Sequence, residues 1–408
     1  MEGDLHSIQL ELLNRLLGEV LATNEFYRRK LGEGARSFAS LAEFSSSVPF
    51  TTKEELAADH EAVAPYGTNH TYPLENYVRF HQTSGTRGAP LIWLDDPAGW
   101  EWILRGWAWV WEQAAIGKGD CAFFPFSFGP FLGFWGAYEA ATKSGIRVVP
   151  GGGMSSEDRV RLLQRAGANI LCCTPTYALR LAEVATRMGV VPAELAVEKV
   201  LVCGEPGGSI PEVRARIEEA WGARVIDHHG MTEIGPVTVS DLERPEHLLI
   251  FQEAYIAEVI DPETGAALMT GEVGELVLTT LGRAGSPLLR YRTGDLVKPI
   301  VVDGVITALD GGIIGRADDM VVVRGVNIYP SAVEAVVRSV EGVAEYQVVV
   351  DQSAALPEIH LSVEATAEVA GVLEKRFREV FSMRIPVRAV LPGSLPEFEV
   401  KAKRWQVV

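Results

Sequence analysis

Residues 199–233, KVLVCGEPGGSIPEVRARIEEAWGARVIDHHGMTE, contain a complete strand, turn, helix, strand unit. Lys199 to Cys203 is an apolar run of strand length that stops at Gly204. Ile210 to Trp221 repeats its apolar residues at helical spacing, and Arg224 to Ile226 is a second strand that ends in Asp227. Two strands joined through a helix run parallel. The same alternation extends upstream through Leu91 to Leu94, Cys121 to Phe124, Arg147 to Pro150 and Ile170 to Cys173. Helical patterns separate these strands at Trp100 to Ala115, Tyr138 to Ala141, Ser156 to Ala166 and Ala178 to Met188. In an open α/β sheet, ligands settle at the carboxyl ends of the strands. The glycine-bearing turns after Cys203 and Asp227 should therefore line one crevice.

The texture changes on either side of this region. Residues 5–65 read as short helices with exposed faces, an accessory leader, the last opening at Thr51-Thr52-Lys53-Glu54-Glu55, where a hydroxyl cap precedes glutamate by three positions. After Pro236, shorter strands with turn signals (Ala254 to Ile260, a turn at 261–265, Gly274 to Thr280) predict a small antiparallel β region. A break at Asp310-Gly311-Gly312 precedes a β-α-β-like pattern to the end of the chain. The expected fold class is α/β: a large N-terminal domain, 1–314, of mostly parallel sheets flanked by helices plus a small β region, and a small mobile α+β C-terminal domain, 315–408. A chain of 408 residues suits this division, since single cores stop growing near ~250–300 residues.

A formal net charge of −17 repels nucleic-acid phosphates and anionic membrane surfaces. No apolar run approaches the ~18–20 residues of a membrane span, and the N-terminus lacks the basic-then-apolar order of an export signal. A cytoplasmic location follows as the expectation, with no nucleic-acid or membrane partner. The four cysteines, in apolar surroundings, read as reduced and buried; Cys203 with His228 or His229 matches none of the usual zinc spacings. The exposed leader helices and the Trp-rich stretch point to a homodimer.

Five stretches carry chemistry. Thr83-Ser84-Gly85-Thr86-Arg87-Gly88 is a glycine and hydroxyl loop whose backbone N–H groups can form an anion nest, with Arg87 adding donors; it lacks the ending of a Walker sequence. Gly204-Glu205-Pro206 and Asp227-His228-His229-Gly230-Met231-Thr232-Glu233 leave neighbouring strands, and a carboxylate such as Glu233 beside a triphosphate is a natural Mg²⁺ ligand. Tyr291 to Leu296 (YRTGDL) and Gly315 to Asp319 (GRADD) read as domain-edge turns, where Asp295 suits a pair of ribose hydroxyls and Arg316 can reach the same sugar or a phosphate. The end of the chain carries a basic cluster, Lys401, Lys403 and Arg404.

In this order, the TSGTRGAP loop, GMTE, YRTGDL and GRADDMVVVRGVNIYP resemble the adenylate-forming superfamily of acyl-CoA synthetases, nonribosomal peptide adenylation domains and luciferases, in its phenylacetate-CoA ligase and coenzyme F390 synthetase-like branch. The resemblance covers the chain from about Leu41 onward. It implies ATP-dependent activation of a carboxylic acid to an acyl-adenylate with release of pyrophosphate, then transfer to the thiol of CoA. The alternative acceptors are the phosphopantetheine of a carrier protein and an amine. It further implies that Thr83 to Gly88 hold the β- and γ-phosphates, that Gly204, Glu205 and Pro206 border the adenine, and that Asp227 accepts from its amino group. His229 takes a position usually filled by tyrosine, Thr232 and Glu233 serve the α-phosphate and Mg²⁺, Asp295 and Arg316 serve the ribose, and Asp318 is a hinge. Lys401 bridges the reacting carboxylate and the nucleotide. Two departures stand out: Arg87 where threonine is common, and Val400 where glycine precedes the lysine, which leaves Lys403 as the alternative to Lys401. For the acid, the candidates are Phe131, Phe134 and Tyr138 with His229, Gly230 and Met231, with Gly152 and Gly153 leaving space; the mix suits a flat aromatic acid.

Overall fold

The computed structural model describes residues 2–32, 36–83, 90–317, 319, 321–323, 326–351, 358–396, 398 and 403–408. Ser84, Gly85, Thr86, Arg87 and Gly88 of the phosphate loop, the hinge Asp318, Val400 and Lys401 lie outside the described residues.

The five central strands, β3 (Cys121–Phe124), β4 (Arg147–Pro150), β5 (Ile170–Cys173), β6 (Lys199–Val202) and β7 (Arg224–Asp227), form one parallel sheet in the order β4-β3-β5-β6-β7. Helices α6 (Leu132–Lys143), α7 (Ser156–Ala166), α8 (Pro175–Arg187) and α9 (Pro211–Trp221) connect them. Their starts are written locally: Ser155 and Thr174 cap α7 and α8 by accepting from backbone N–H groups three residues on, and Pro175 fills the first helical position of α8. Apart from the edge strand β4, the sheet is buried on both faces, as a parallel sheet requires. Ala122, Phe124, Ile170, Cys172, Leu201 and Ile226 join one hydrophobic cluster, while Cys121, Phe123, Leu171, Cys173, Val200, Val202 and Val225 join the other. The alternation is the period of two that strand geometry imposes. All four cysteines are free thiols, and burial pushes the Cys172 and Cys173 thiols up.

Before the sheet come α1 (Glu2–Thr23), α2 (Glu25–Leu31), α3 (Leu41–Ser47), α4 (Lys53–Ala62), the hairpin β1 (Arg79–Gln82) and β2 (Ile92–Asp95), and α5 (Pro97–Gln113). After it come a two-residue hairpin, β8 (Gly230–Met231) and β9 (Gly235–Pro236), and two antiparallel sheets. One holds β10 (Thr238–Ser240), β11 (His247–Ile250), β15 (Pro299–Val302) and β16 (Val305–Asp310). The other holds β12 (Tyr255–Ile260), β13 (Gly274–Thr280), β14 (Tyr291–Val297) and β17 (Gly315–Arg316). The last part has a short hairpin, β18 (Val321–Val323) and β19 (Val326–Ile328), then α10 (Pro330–Arg338), β20 (Tyr346–Asp351), β21 (Glu358–Glu364), α11 (Ala367–Phe381), β22 (Val387–Val390) and β23 (Trp405–Val407). Its sheet runs β22-β21-β20-β23 over a hydrophobic cluster of its own, from Val323 to Ile385.

Three expectations change. In the leader α2, α3 and α4 are short helices with exposed faces, as expected, but the segment is no mere accessory, because α1 is 22 residues long and buries Leu13, Leu16, Leu17, Val20 and Leu21 in the main core. Its apolar residues recur every three to four positions, one stripe that needs a partner surface. Chain pairing ties the leader down further, since the Thr51 N–H donates to the Arg290 carbonyl (2.9 Å) and the Arg292 N–H to the Thr51 carbonyl (2.9 Å). The YRTGDL stretch is no edge turn but strand β14, flanked by β13 and β17. Gly294 reads as a breaker, yet it sits inside the strand at φ +77°, where a Cβ would meet the Arg316 guanidinium at 2.7 Å. The Trp-rich helix α5 buries Trp100, Trp102, Trp107 and Trp111, so those rings offer no apolar face to a second copy. No helix among the described residues is long and apolar enough to cross a membrane.

The fully buried Tyr27 hydroxyl accepts from the Leu289 N–H at 2.8 Å. Tyr27→Phe should leave that donor unpaired and lower stability by ~1–3 kcal/mol, read as a shifted urea midpoint with an unchanged slope; an unshifted midpoint would return the leader to an accessory role.

Candidate active site

The chain leaves the carboxyl edge of the parallel sheet at the places where the sequence carries its unusual residues. Strand β3 runs into Pro125 to Phe131, β4 into Gly151 to Gly153, β5 into Thr174, β6 into Gly204 to Pro206, and β7 into His228 to Glu233. Gly204 and Pro206 are exposed on this rim, and the half-buried Glu205 accepts from the Thr176 N–H at 2.8 Å, fixing the turn to the start of α8. Asp227 is buried, and burial pushes its carboxyl up although it accepts from the Ser209 hydroxyl at 2.5 Å. Thr83 closes the base of the phosphate loop: its N–H donates to the Leu91 carbonyl (2.9 Å) and its hydroxyl accepts from the Leu91 N–H (3.0 Å).

Asp295 on β14 is brought to the same edge from a different sheet. One of its oxygens lies 2.9 Å from His229 Nε2, and the other accepts from Arg316 Nη1 at 3.1 Å. His228, next to His229, is structural in its contacts: Nδ1 lies 2.5 Å from the Thr238 carbonyl oxygen and the ring sits 4.3 Å from that of Trp107. Burial lowers its pKa to about 3, which keeps the ring neutral.

Glu233 is buried, 3% exposed, and its Oε1 has the Tyr291 hydroxyl at 3.4 Å and Lys53 Nζ at 3.8 Å. A buried carboxylate whose described neighbours include no direct cationic hydrogen bond fits Mg²⁺, which takes one or two carboxylates and fills the remaining positions with phosphate oxygens and water. Among the described residues no group of three or more His, Cys, Asp or Glu is disposed to hold a metal ion, the Cys203 and histidine combination included.

Arg283 is absent from the sequence reading. Its guanidinium is fully buried, binds Asp95 through Nε (2.6 Å) and Nη2 (2.7 Å), and donates from Nη1 to the carbonyls of Thr232 (3.0 Å) and Glu233 (2.8 Å). Burial alone would raise the Asp95 carboxyl, but Arg283 and His81 outweigh it and hold it below the usual range. The side chain thereby joins the hairpin that flanks the phosphate loop to the backbone carrying Thr232 and Glu233. Lys53 was also missed as a site residue, because its sequence signal is that of a helix start.

The aromatic candidates come together. Phe134 stacks on Phe126 at 4.1 Å and Phe131 lies 6.0 Å from Phe134. Tyr138 meets Phe124 and Phe128 at 5.4 and 5.2 Å. Helix α6, which carries Phe134 and Tyr138, packs against β8, where the exposed Gly230 and half-buried Met231 sit. At Gly152 a Cβ would lie 3.0 Å from the Phe126 carbonyl oxygen, whereas Gly153 at φ +72° faces open space. Phe126, Phe128 and Trp107 are additions; the FFPFSFGPF run that begins in β3 was the available signal for the first two.

The sequence matches the AMP-binding enzyme family over residues 100–283 and the AMP-binding enzyme C-terminal domain over residues 325–406. It is 36% identical to a phenylacetate-coenzyme A ligase of Thermus thermophilus over 92% of this chain and 83% of that protein. It is 32% identical to a phenylacetate-coenzyme A ligase of Pseudomonas putida over 98% of this chain and 93% of that protein. A 2-hydroxyisobutyryl-CoA ligase in the postadenylation state, in complex with 2-HIB-AMP, superposes with a TM-score of 0.92 at 29% identity, covering 98% of this chain and 89% of that one. The same ligase in its thioesterification state, with 2-HIB-AMP and CoA, superposes with a TM-score of 0.74. The overall arrangement of this chain is thus the closer to the postadenylation structure.

Two outcomes are expected. Arg283→Met leaves Asp95 buried without its partner and should cost ~3–5 kcal/mol in denaturant unfolding. The folded-state pKa of His228, about 3, lies below its ordinary 6.5, so the unfolded chain binds the proton first and stability is lost as pH falls from 6.5 toward 3. That slope approaches ~1.4 kcal/mol per pH unit for one proton, and His228→Gln should flatten it.

Proposed function

We propose an aromatic carboxylic acid as the substrate of this chain, which belongs to the AMP-binding, adenylate-forming enzymes in their phenylacetate-coenzyme A ligase branch and is an AMP-forming acid–CoA ligase. The reaction has two halves. The carboxylate attacks the α-phosphorus of ATP, the bond to the bridging oxygen breaks and pyrophosphate leaves; the CoA thiol then attacks the acyl carbonyl and AMP leaves. In the first half an anion approaches an anion, so the protein must position and neutralise rather than supply covalent chemistry.

The observation that carries the site assignment is the meeting of His229, Asp295 and Arg316 at the carboxyl edge of the parallel sheet, from three separate elements. In this reading Asp295 accepts from the ribose hydroxyls, with His229 and Arg316 holding its carboxylate in place. Gly204, Glu205 and Pro206 border the adenine beside Asp227, and Thr83 to Gly88 receive the β- and γ-phosphates. Thr232 serves the α-phosphate. Glu233 holds Mg²⁺, which when bound offsets the charge of the triphosphate. Lys401 approaches the carboxylate and the α-phosphate from the C-terminal part of the chain, with Asp318 as the hinge. Gly315 and Arg316 pair with β14, which supports a division between the two domains just past Arg316 rather than at 314.

The acid is assigned from the rings. Phe126, Phe131, Phe134 and Tyr138 belong to a run of offset and edge ring contacts, and α6, which carries Phe134 and Tyr138, packs against the β8 strand of Gly230 and Met231; such a wall suits a flat ring. The acidic surface, net −17, disfavours docking of an acidic carrier protein, so a carrier phosphopantetheine stays second to free CoA.

Pyrophosphate release should be measured with benzoic, phenylacetic, hydroxy- and aminobenzoic acids and with 2-hydroxyisobutyric acid, with and without CoA. One aryl acid should stimulate release and give its CoA thioester; preference for the aliphatic acid would overturn the aromatic assignment. Lys401→Ala should abolish adenylation while ATP still binds, and Asp295→Asn should raise the KM for ATP by ~10-fold or more, as expected for loss of a charged hydrogen-bond acceptor.

A further inference from the structure

Lys53 is the first residue of α4 and lies outside both stretches that match the AMP-binding family. Its backbone is nonetheless fastened to the site. Thr51, two residues earlier, exchanges backbone hydrogen bonds with Arg290 and Arg292, and its hydroxyl donates to the Leu289 carbonyl at 2.8 Å. Thr52 closes a capping box with Glu55 that sets the first turn of α4. The leader thus delivers one lysine to a fixed place beside β14, the strand that carries Asp295.

The side chain is held differently from its backbone. Lys53 Nζ lies 3.8 Å from Glu233 Oε1, too long for a direct hydrogen bond, and the lysine side chain is 45% exposed against 3% for the glutamate. A buried carboxylate needs a counter-charge. A lysine on a four-carbon stem with three rotatable donors supplies one without being locked into a single geometry.

We propose that Lys53 is a phosphate-binding residue for the β- and γ-phosphates of ATP and for the departing pyrophosphate, and that its pairing with Glu233 is the resting position from which it moves. This rests on the reading of Glu233 as the Mg²⁺ ligand beside the triphosphate. Once that carboxylate is engaged by a cation, Lys53 loses its partner and faces like charge. The triphosphate that this reading places on the same cation then supplies anionic oxygens, and a flexible four-carbon stem lets the ammonium turn to them. As the bond from the α-phosphorus to the bridging oxygen breaks, negative charge accumulates on the pyrophosphate, and the Lys53 ammonium stands where that charge develops. The residue has no part in the second half-reaction, when pyrophosphate has gone and AMP is the leaving group.

The test is calorimetric titration of the full-length wild type, Lys53→Met and Lys53→Arg with Mg-ATP, Mg-pyrophosphate and AMP, alongside the two half-reactions. Lys53→Met should weaken ATP and pyrophosphate by ~10-fold, the worth of one charge-assisted contact, and leave AMP within ~2-fold, with Lys53→Arg retaining most of the affinity. Acyl-adenylate formation should slow in Lys53→Met, while supplied acyl-adenylate should pass to CoA at the wild-type rate. Unchanged ATP and pyrophosphate affinities would overturn the proposal, as would equal losses for ATP and AMP, which would mark a general distortion of β14 instead. A wild type that binds ATP and activates an acid while Lys53→Met matches it defeats only this inference; a wild type that activates no acid defeats the reading of the site beneath it.

Discussion

The ion pair between Arg283 and Asp95, with neither side chain exposed to solvent, is the constraint on which the nucleotide end of the molecule depends. Removing both charges from water is expensive, and a pair of this kind adds little net stability compared with well-packed apolar groups. Its worth lies in geometry. Two nitrogens of the guanidinium grip the carboxylate at the end of β2, and the third reaches the carbonyls of Thr232 and Glu233. The planar fork permits little rotation, so the end of β2 and the turn after β7 are set in one frame.

That frame extends through packing. His81, opposite Trp93 in the β1–β2 ladder, stacks on Trp100 at the start of α5, and Trp107 further along α5 covers His228. A protonated His228 in this apolar setting would have no counter-charge, so the ring remains neutral and acts as a spacer beneath His229. His229 alone turns toward Asp295. Adjacent histidines of the same type therefore do different work, separated by which of them the tryptophan covers.

The leader illustrates how a peripheral segment becomes part of a site. Burial of its apolar stripe supplies the driving force, and the pairing of Thr51 with β14 supplies the register. Neither depends on the nucleotide, so the placement of Lys53 beside Glu233 is a property of the folded chain itself. The antiparallel sheet of β12, β13, β14 and β17 accommodates this convergence at Gly294, where the absent Cβ lets the Arg316 guanidinium lie close to the backbone on its way to Asp295.

The parallel sheet was legible in advance because its signal is local: the runs CAFF, ILCC, KVLV and RVID are short, apolar and separated by helical patterns, and nothing remote is needed to recognise them. The order of the glycine-rich and acidic motifs likewise identified the adenylate-forming chemistry, since each motif is a contiguous stretch with its own spacing. What the sequence by itself determined was therefore the kind of fold, the division into a large and a small part, and the inventory of reactive groups. Tertiary structure alone decided that YRTGDL is an interior strand, that the leader belongs to the core, that Arg283 grips Asp95 and that Lys53 lies beside Glu233. Each of those outcomes pairs residues far apart in the chain, with Thr51 meeting Tyr291 and Asp95 meeting Arg283. The energy of such a contact depends on burial and geometry that only the assembled fold creates.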